Sequence, residues 1–238
     1  MTVAVICPAL NEEETVGAVV SAVPRRLVNE VIVVDNGSQD RTAQVAAAAG
    51  ATVVSEPMRG YGAACLAGSR ATQADYLVFM DADGSFDAHQ IDRLLEPLMA
   101  DRADLVLGSR SLSADTAILP HQRFGNWLAV KLLRLIYGLP VTDLGPFRAI
   151  GRQNLLRLGM SELTYGWPIE MMILAARSGC RVVEVPVSYG PRLGGDSKVS
   201  GTLRGSVLAG YHIVKTILRS SRHAPRPAVW SNARGEHE

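Results

Sequence analysis

Between Val3 and Arg110 the chain alternates short β-rich runs with helical patterns, and nothing else in it constrains the fold so tightly. "VAVICPA", "EVIVVDNGS", "ATVVSEP", "DYLVFMDAD" and "DLVLGSR" read as strands, because branched apolar residues run together and stop at turn formers. "NEEETVGAVVSAV", "DRTAQVAAAAG", "GAACLAGSRATQ" and "DAHQIDRLLEPLMA" read as the helices between them. The first has acidic residues in its opening turn, where the helix dipole favours them. The second has Asp40 as its N-cap and Gly50 as its stop. Such alternation predicts an α/β fold, a doubly wound and mostly parallel sheet flanked by helices. Ligands of these sheets sit beyond the carboxyl ends of the strands. Pro8, Asp35, Glu56, Asp81 and Ser109 all fall at such ends and should converge.

The second half is less regular. "HQRFGNWLAVKLLRLIYG" is an amphipathic helical pattern, "TDLGPFRAI" a turn feeding a short strand, "PIEMMILAARSG" a helix and "RVVEVPVSY" a strand. "GPRLGGDSKVSG" is a glycine-rich basic loop, and "TLRGSVLAGYHIVKTILRS" a last helix with Leu203, Val207, Tyr211, Val214 and Leu218 at helical spacing. From about Ser221 there is too little apolar material to fold alone.

The 238 residues suit one large domain, and 47% apolar content is ample for its core. A net charge of +1 excludes the strong positive field of a nucleic-acid binder. Cys7, Cys65 and Cys180 lie far apart in apolar contexts, as reduced buried thiols would. Met1 leads directly into "TVAVICPAL" without the charged start of a signal peptide. No apolar run approaches the roughly 20 residues of a spanning helix.

"VFMDADGSFD" sets Asp81 and Asp83 one residue apart after an apolar strand. Paired aspartates in a loop can be caps or turn formers. At a buried strand end, however, they are costly until something positive neutralises them. A Mg²⁺ or Mn²⁺ ion takes few carboxylates and completes its shell with phosphate oxygens and water. A Rossmann dehydrogenase would carry G-x-G-x-x-G after its first strand. Here that place reads "PALNEEET", and the glycines at 60, 62 and 68 are spaced differently. A nucleotidyltransferase would want a basic glycine-rich loop in the same place.

"CPALNEEETV", "VIVVDNGSQDRT", "RGYGAACLAG", "FMDADGSFD", "LVLGSR", "TDLGPFRAI" and "RLGGDSKVSGT" stand in the order found in family 2 glycosyltransferases. Within that family the chain most resembles the dolichyl- and polyprenyl-phosphate mannose and glucose synthases, over about Thr2 to Leu218. The resemblance implies a GT-A fold with a Rossmann-like nucleotide-binding half, a nucleotide-sugar donor, Mg²⁺ or Mn²⁺, and inversion at the anomeric carbon. It implies one domain over 1–220, with a nucleotide-sugar-binding half at 1–112 and an acceptor half at 113–220; 221–238 is then a flexible tail.

Carried over motif by motif, Pro8, Leu10, Asn11 and Glu12 contact the nucleotide, and Asp35 hydrogen-bonds its base. Gly60 and Gly62 let the backbone approach the nucleotide closely, beside Arg59 where relatives commonly have Lys. Asp81 and Asp83 hold the metal, with Ala82 packed beside them. Many relatives add a Gln ligand at position 85; Ser85 stands there instead, which leaves the third protein ligand open. Arg192 and Lys198 resemble the mobile acceptor loop, with Arg110 and Arg123 as further phosphate partners. Asp143 and Glu170 are the acceptor-side carboxylates. By composition alone Arg192 and Lys198 are equally solvated loop charges, and Glu170 a helix-dipole partner.

The mechanism implied is a single displacement, in which the metal and Arg192 stabilise the departing nucleotide diphosphate. A polyprenyl phosphate is already anionic and requires no strong base, whereas a hydroxyl acceptor would need one, with Asp143 the first candidate. The partners are thus a GDP- or UDP-linked sugar and a polyprenyl phosphate or other small acceptor, without nucleic acid; homo-oligomerisation stays open. Two rival readings also stay open: a UDP-sugar enzyme acting on a soluble or glycolipid hydroxyl, and a non-catalytic nucleotide-sugar binder. Cytoplasmic placement is expected, at the inner face of the membrane if the acceptor is a lipid. Residues 118–140 and 202–219 either pack their apolar stripes on the core or offer a basic amphipathic surface for peripheral membrane contact.

Overall fold

In the computed structural model the five apolar runs of the first half become β1 (Val3–Ala9), β2 (Glu30–Asp35), β3 (Thr52–Ser55), β4 (Tyr76–Phe79) and β5 (Leu105–Ser109). The structure describes residues 1–110, 120–195, 215–216 and 230–232, with the backbone alone for 120–124 and 230–232. Helices α1 (Val16–Ala22), α2 (Thr42–Ala48), α3 (Tyr61–Arg70) and α4 (Ile91–Met99) alternate with these strands. The second half adds α5 (Pro120–Tyr137), β6 (Arg148–Gly151), α6 (Arg152–Leu158), α7 (Trp167–Arg177), β7 (Val182–Pro186) and β8 (Trp230–Asn232).

The strands lie in the order β3-β2-β1-β4-β6-β5-β7-β8. All neighbours pair in parallel except β6, which runs antiparallel to both β4 and β5. The mostly parallel, doubly wound expectation therefore holds, with one reversed strand. That strand comes from the second half of the chain and sits between two strands of the first, so both halves share one sheet.

Strand alternation sorts the apolar residues onto two faces. Ala4, Ile6, Ile32, Val34, Leu77, Phe79 and Leu105 enter one buried cluster with residues of α3, α5 and α7. Val3, Val5, Cys7, Val31, Val33, Val78 and Val106 enter another with residues of α1 and α4. Each fully buried aliphatic or aromatic side chain contributes about 1.5–3 kcal/mol, and both faces are lined with them. The three cysteines are free and buried, as expected.

Local structure departs from expectation in a few places. Helix α1 begins only at Val16, and the acidic run precedes it. Asn11 turns the chain at φ 52°, a left-handed conformation that asparagine tolerates. The Glu12 carbonyl then accepts from Thr15 and Val16 N–H at 3.1 and 2.9 Å. Helix α2 begins at Thr42 with Arg41 at the cap, one residue later than expected. Asp40 instead accepts from the N–H groups of Thr42 and Glu13. Gly50 does end that helix, at φ 87°. Helix α6 is additional to the sequence pattern, and Trp230–Asn232, inside the expected tail, pairs with β7 as an edge strand. The last expected helix lies outside the described residues save Lys215 and Thr216, which are helical. Among the described residues no helix is long and apolar enough to cross a membrane.

Candidate active site

The strand order changes direction between β1 and β4, with β2 and β3 on one side and β6 on the other. A crevice forms beyond the carboxyl ends at such a point. Pro8 lies near the end of β1 at low cost, because β4 pairs with β1 only as far as Ile6 and asks no N–H of a later residue on that side. Past these two ends come Leu10, Asn11 and Glu12 on one side and Asp81, Ala82 and Asp83 on the other. Thr15 ties the sides together, its hydroxyl donating to the Ala82 carbonyl at 2.8 Å and lying 3.2 Å from a Glu12 oxygen.

Arg192 closes this crevice from 109 residues further along the chain. Its guanidinium donates to both Glu12 oxygens at 2.6 Å and to Asp83 Oδ2 at 3.0 Å. Leu193 N–H donates to the Asp83 carbonyl at 3.1 Å and Gly195 N–H to Glu14 at 2.8 Å. The start of the basic loop is thus fastened over the acidic turn. Lys198, the other basic residue expected there, lies outside the described residues.

The two aspartates are held differently. Asp83 Oδ1 accepts from the Ser85 hydroxyl at 2.6 Å and from Ser85 N–H at 2.9 Å. Ser85 therefore orients the Asp83 carboxylate. Asp81 is pushed up to about 7, first by burial and then by the negative charge of Asp83. Arg110, Tyr61 and Arg192 oppose that rise without cancelling it. Two hard oxygen donors, one of them, Asp81, with too little positive charge around it, fit Mg²⁺ or Mn²⁺.

A second cluster is built around an ion pair. Arg110, one residue past β5, forks onto Asp143 through Nε and Nη2, each at 2.8 Å. The backbone N–H groups of Arg110 and Leu144 also donate to this buried carboxylate, both at 2.8 Å. The oxygens of Asp143, expected as the base for a hydroxyl acceptor, thus accept from four donors. Arg110 in turn lies over the Tyr189 ring at 4.9 Å. Behind the pair, Glu184 of β7 accepts from Thr142 N–H, and burial lifts its carboxyl to about 7.

Glu170 is also structural in its contacts. It accepts from Ser161 N–H and hydroxyl and from Glu162 N–H, at 3.0, 2.8 and 2.7 Å. The helix-end alternative describes its position, in the first turn of α7. The segment that it anchors changes the reading of two glycines. A Cβ on Gly60 would stand 2.1 Å from the Leu163 carbonyl oxygen, and one on Gly62 2.2 Å from that of Glu162. Both glycines make room for this backbone, which also receives the Ala63 N–H at 3.0 Å.

The remaining residues expected at the nucleotide gather around one loop. Asp35, at the end of β2, accepts from Ser38 N–H at 3.0 Å, and Asn11 accepts from Gln39 N–H at 2.8 Å. Asn36, unremarked in the sequence, donates to the carbonyls of Glu56 and Met58 and accepts from Gly60 N–H. Arg59 is exposed, its guanidinium against Gly37. Arg123 lies in α5, and its side chain is outside the described residues. Sequence reasoning missed Thr15, Asn36 and Arg148; of these only Arg148, a charge inside the strand "FRAI", left a signal.

The chain is similar to several known proteins. Residues 4–158 match the family described as Glycosyl transferase family 2. The chain is 46% identical over 207 residues to an uncharacterized glycosyltransferase of Mycobacterium tuberculosis, covering 87% of this chain and 94% of the relative. It is 34% identical over 227 residues to an undecaprenyl-phosphate mannosyltransferase of Micrococcus luteus, covering 87% and 91%. Among solved structures it resembles glucosyl-3-phosphoglycerate synthase from Mycobacterium tuberculosis in complex with Mn²⁺, UDP and glucosyl-3-phosphoglycerate. The TM-score is 0.77 at 25% identity, covering 92% of this chain and 80% of the synthase.

Proposed function

Because the chain belongs to glycosyl transferase family 2, with the GT-A fold and hexosyltransferase chemistry of its relatives, we propose that it moves a hexose from a GDP- or UDP-linked sugar to a polyprenyl phosphate, with inversion. One observation carries the choice of acceptor. The carboxylate best placed to serve as a base, Asp143, is spent on Arg110, so the site suits a nucleophile that is anionic on arrival. The similarity to an undecaprenyl-phosphate mannosyltransferase supports the same choice.

On this reading residues 1–220 act as one domain, the donor bound by 1–112 and the acceptor by 113–220. The nucleotide lies beyond β1 and β2, against Pro8, Leu10, Asn11 and Asp35, with Arg59, Gly60 and Gly62 lining the loop beside it. Asp81 and Asp83 hold Mg²⁺ or Mn²⁺, with Ala82 between them; when bound, the ion supplies positive charge to the diphosphate. Arg192 exchanges Glu12 and Asp83 for phosphate oxygens, and Arg110 offers its outer edge from the other side. Both guanidiniums then face the charge that grows as the anomeric bond breaks. Arg123 and Lys198 are assigned to the acceptor phosphate. The acceptor oxygen attacks from the face opposite the diphosphate, and no proton has to move. Glu170 holds the wall behind. Membrane contact falls to α5, where Trp127 is 52% exposed and Leu135 80%, beside exposed Lys131 and Arg134.

The second reading is a soluble acceptor, favoured by the likeness to a synthase solved with UDP-glucose and phosphoglyceric acid. One experiment separates the two. GDP-mannose and UDP-glucose are each incubated with Mn²⁺ and either undecaprenyl phosphate or 3-phosphoglycerate, and the sugar product is followed. Transfer to the lipid phosphate is expected; transfer to phosphoglycerate alone would replace the proposal by its rival.

A further inference from the structure

Arg148 opens β6, in register with Phe79 of β4 and Leu107 of β5, so its side chain enters the core face those residues line. It is fully buried. Among the described residues its bonds go to neutral atoms: the Pro168 carbonyl at 2.8 Å, the Gly145 carbonyl at 2.5 Å, a longer 3.5 Å to Leu144, and Met171 Sδ at 3.9 Å. Among the described residues its Nε–H has no partner. Burial without a paired carboxylate is costly for a cation, and it brings this guanidinium down to about 10.

What the side chain holds gives the cost a purpose. Gly145 stands between two guanidiniums. Its carbonyl is capped by Arg148, while a Cβ on its other side would lie 2.8 Å from the Gly108 carbonyl, 3.2 Å from Asp143 Oδ2 and 3.7 Å from Arg110 Nε. The turn that carries Asp143 is therefore pressed against the Arg110 fork and braced from beneath. The same guanidinium fastens Pro168, in the first turn of α7, two residues before the Glu170 that anchors the wall over Gly60 and Gly62.

We propose that Arg148 is a positioning residue for sugar transfer: by holding the Gly145 turn it sets Asp143 and thereby aims Arg110 at the substrate diphosphate. The inference rests on the role given to Arg110 above and is independent of which acceptor is used.

The test is calorimetric titration of the whole chain with UDP and with GDP in Mn²⁺, using Arg110→Ala, Arg148→Met and the double variant. Arg148→Met should melt at or above the parent's temperature, since an apolar isostere removes a buried charge. It should nevertheless weaken whichever nucleotide binds by about tenfold, as Arg110→Ala does, and the double variant should lose about tenfold again in total, not a hundredfold. Arg148→Lys should recover part of the loss. Should Arg148→Met fail to fold, Gly145→Ala presses on the same turn from the opposite side and should show the same non-additivity with Arg110→Ala. Parent-like affinity in Arg148→Met, or losses that multiply, would overturn the proposal. Unchanged affinity in Arg110→Ala, or no nucleotide binding by the parent, would overturn it along with the role of Arg110 while leaving the acceptor experiment to stand alone.

Discussion

Asp143 and Asp81 are both aspartates at the carboxyl edge of one sheet, yet the structure treats them oppositely. Asp143 receives an arginine fork and two backbone N–H groups. Asp81 faces another aspartate, and burial with that charge pushes it to about 7. A carboxylate whose charge is fully answered from within the fold is part of the scaffold. One left under-compensated at the crevice, as Asp81 is, suits a cation from outside. The difference sorts residues that composition alone would class together, and it can be broken from either side.

The largest effect is expected at the aspartate beside the under-compensated Asp81. Asp83→Ala should lower transfer by about a thousandfold, roughly 4 kcal/mol of transition-state stabilisation, while the melting temperature stays close to the parent's. A chelator should reproduce the loss in the parent. Full turnover in excess EDTA would remove the metal role from both aspartates.

Asp143→Ala should act on stability instead. It leaves Arg110, largely shielded from solvent, without its partner, a change that costs roughly 3–4 kcal/mol in comparable pairs. Denaturant titration would show the midpoint fall; an unchanged midpoint would mean that the pair is not the scaffold described here.

Glu184 sharpens the comparison, because it belongs to the scaffold and still carries a raised carboxyl, from an ordinary 4.5 to about 7. Between those values the folded chain holds a proton that the unfolded chain has released, so stability should fall as pH rises from 4.5 to 7 and level off above. The full difference is on the order of 3 kcal/mol. Glu184→Gln keeps an acceptor for Thr142 and should flatten that part of the stability profile. A parent-like slope in the variant would assign the dependence to another group.

The smallest expected effect lies at the surface of α5. Lys131, seated over the Trp127 ring at 4.9 Å, and Arg134 are both exposed. Binding to vesicles of phosphatidylserine and phosphatidylcholine at low salt should weaken in Lys131→Glu/Arg134→Glu by roughly 2 kcal/mol, about 1 per cationic residue. Parent protein that stays in the supernatant with these vesicles would favour the soluble acceptor.

What could be read from the chain alone was set by neighbours in sequence. Strand and helix alternation dictated the winding, and the end of each apolar run located Pro8, Asp35, Asp81 and Ser109 on one edge. Periodicity is a local property, and so it was legible. The pairings are not local. Glu12 meets Arg192 across 180 residues and Arg110 meets Asp143 across 33. Which carboxylate gained a cation depended on the sheet order, with β6 reversed between β4 and β5. The same holds for Gly60 and Gly62, whose motif suggested a nucleotide and whose neighbours are the carbonyls of Glu162 and Leu163. Arg148 is the extreme case. Its residue type within an apolar strand could be noticed, but only the packed core shows that its charge rests on the carbonyls behind the site. Burial and charge compensation exist only once distant segments have met, and these decide which polar residues hold the structure and which are left for a ligand.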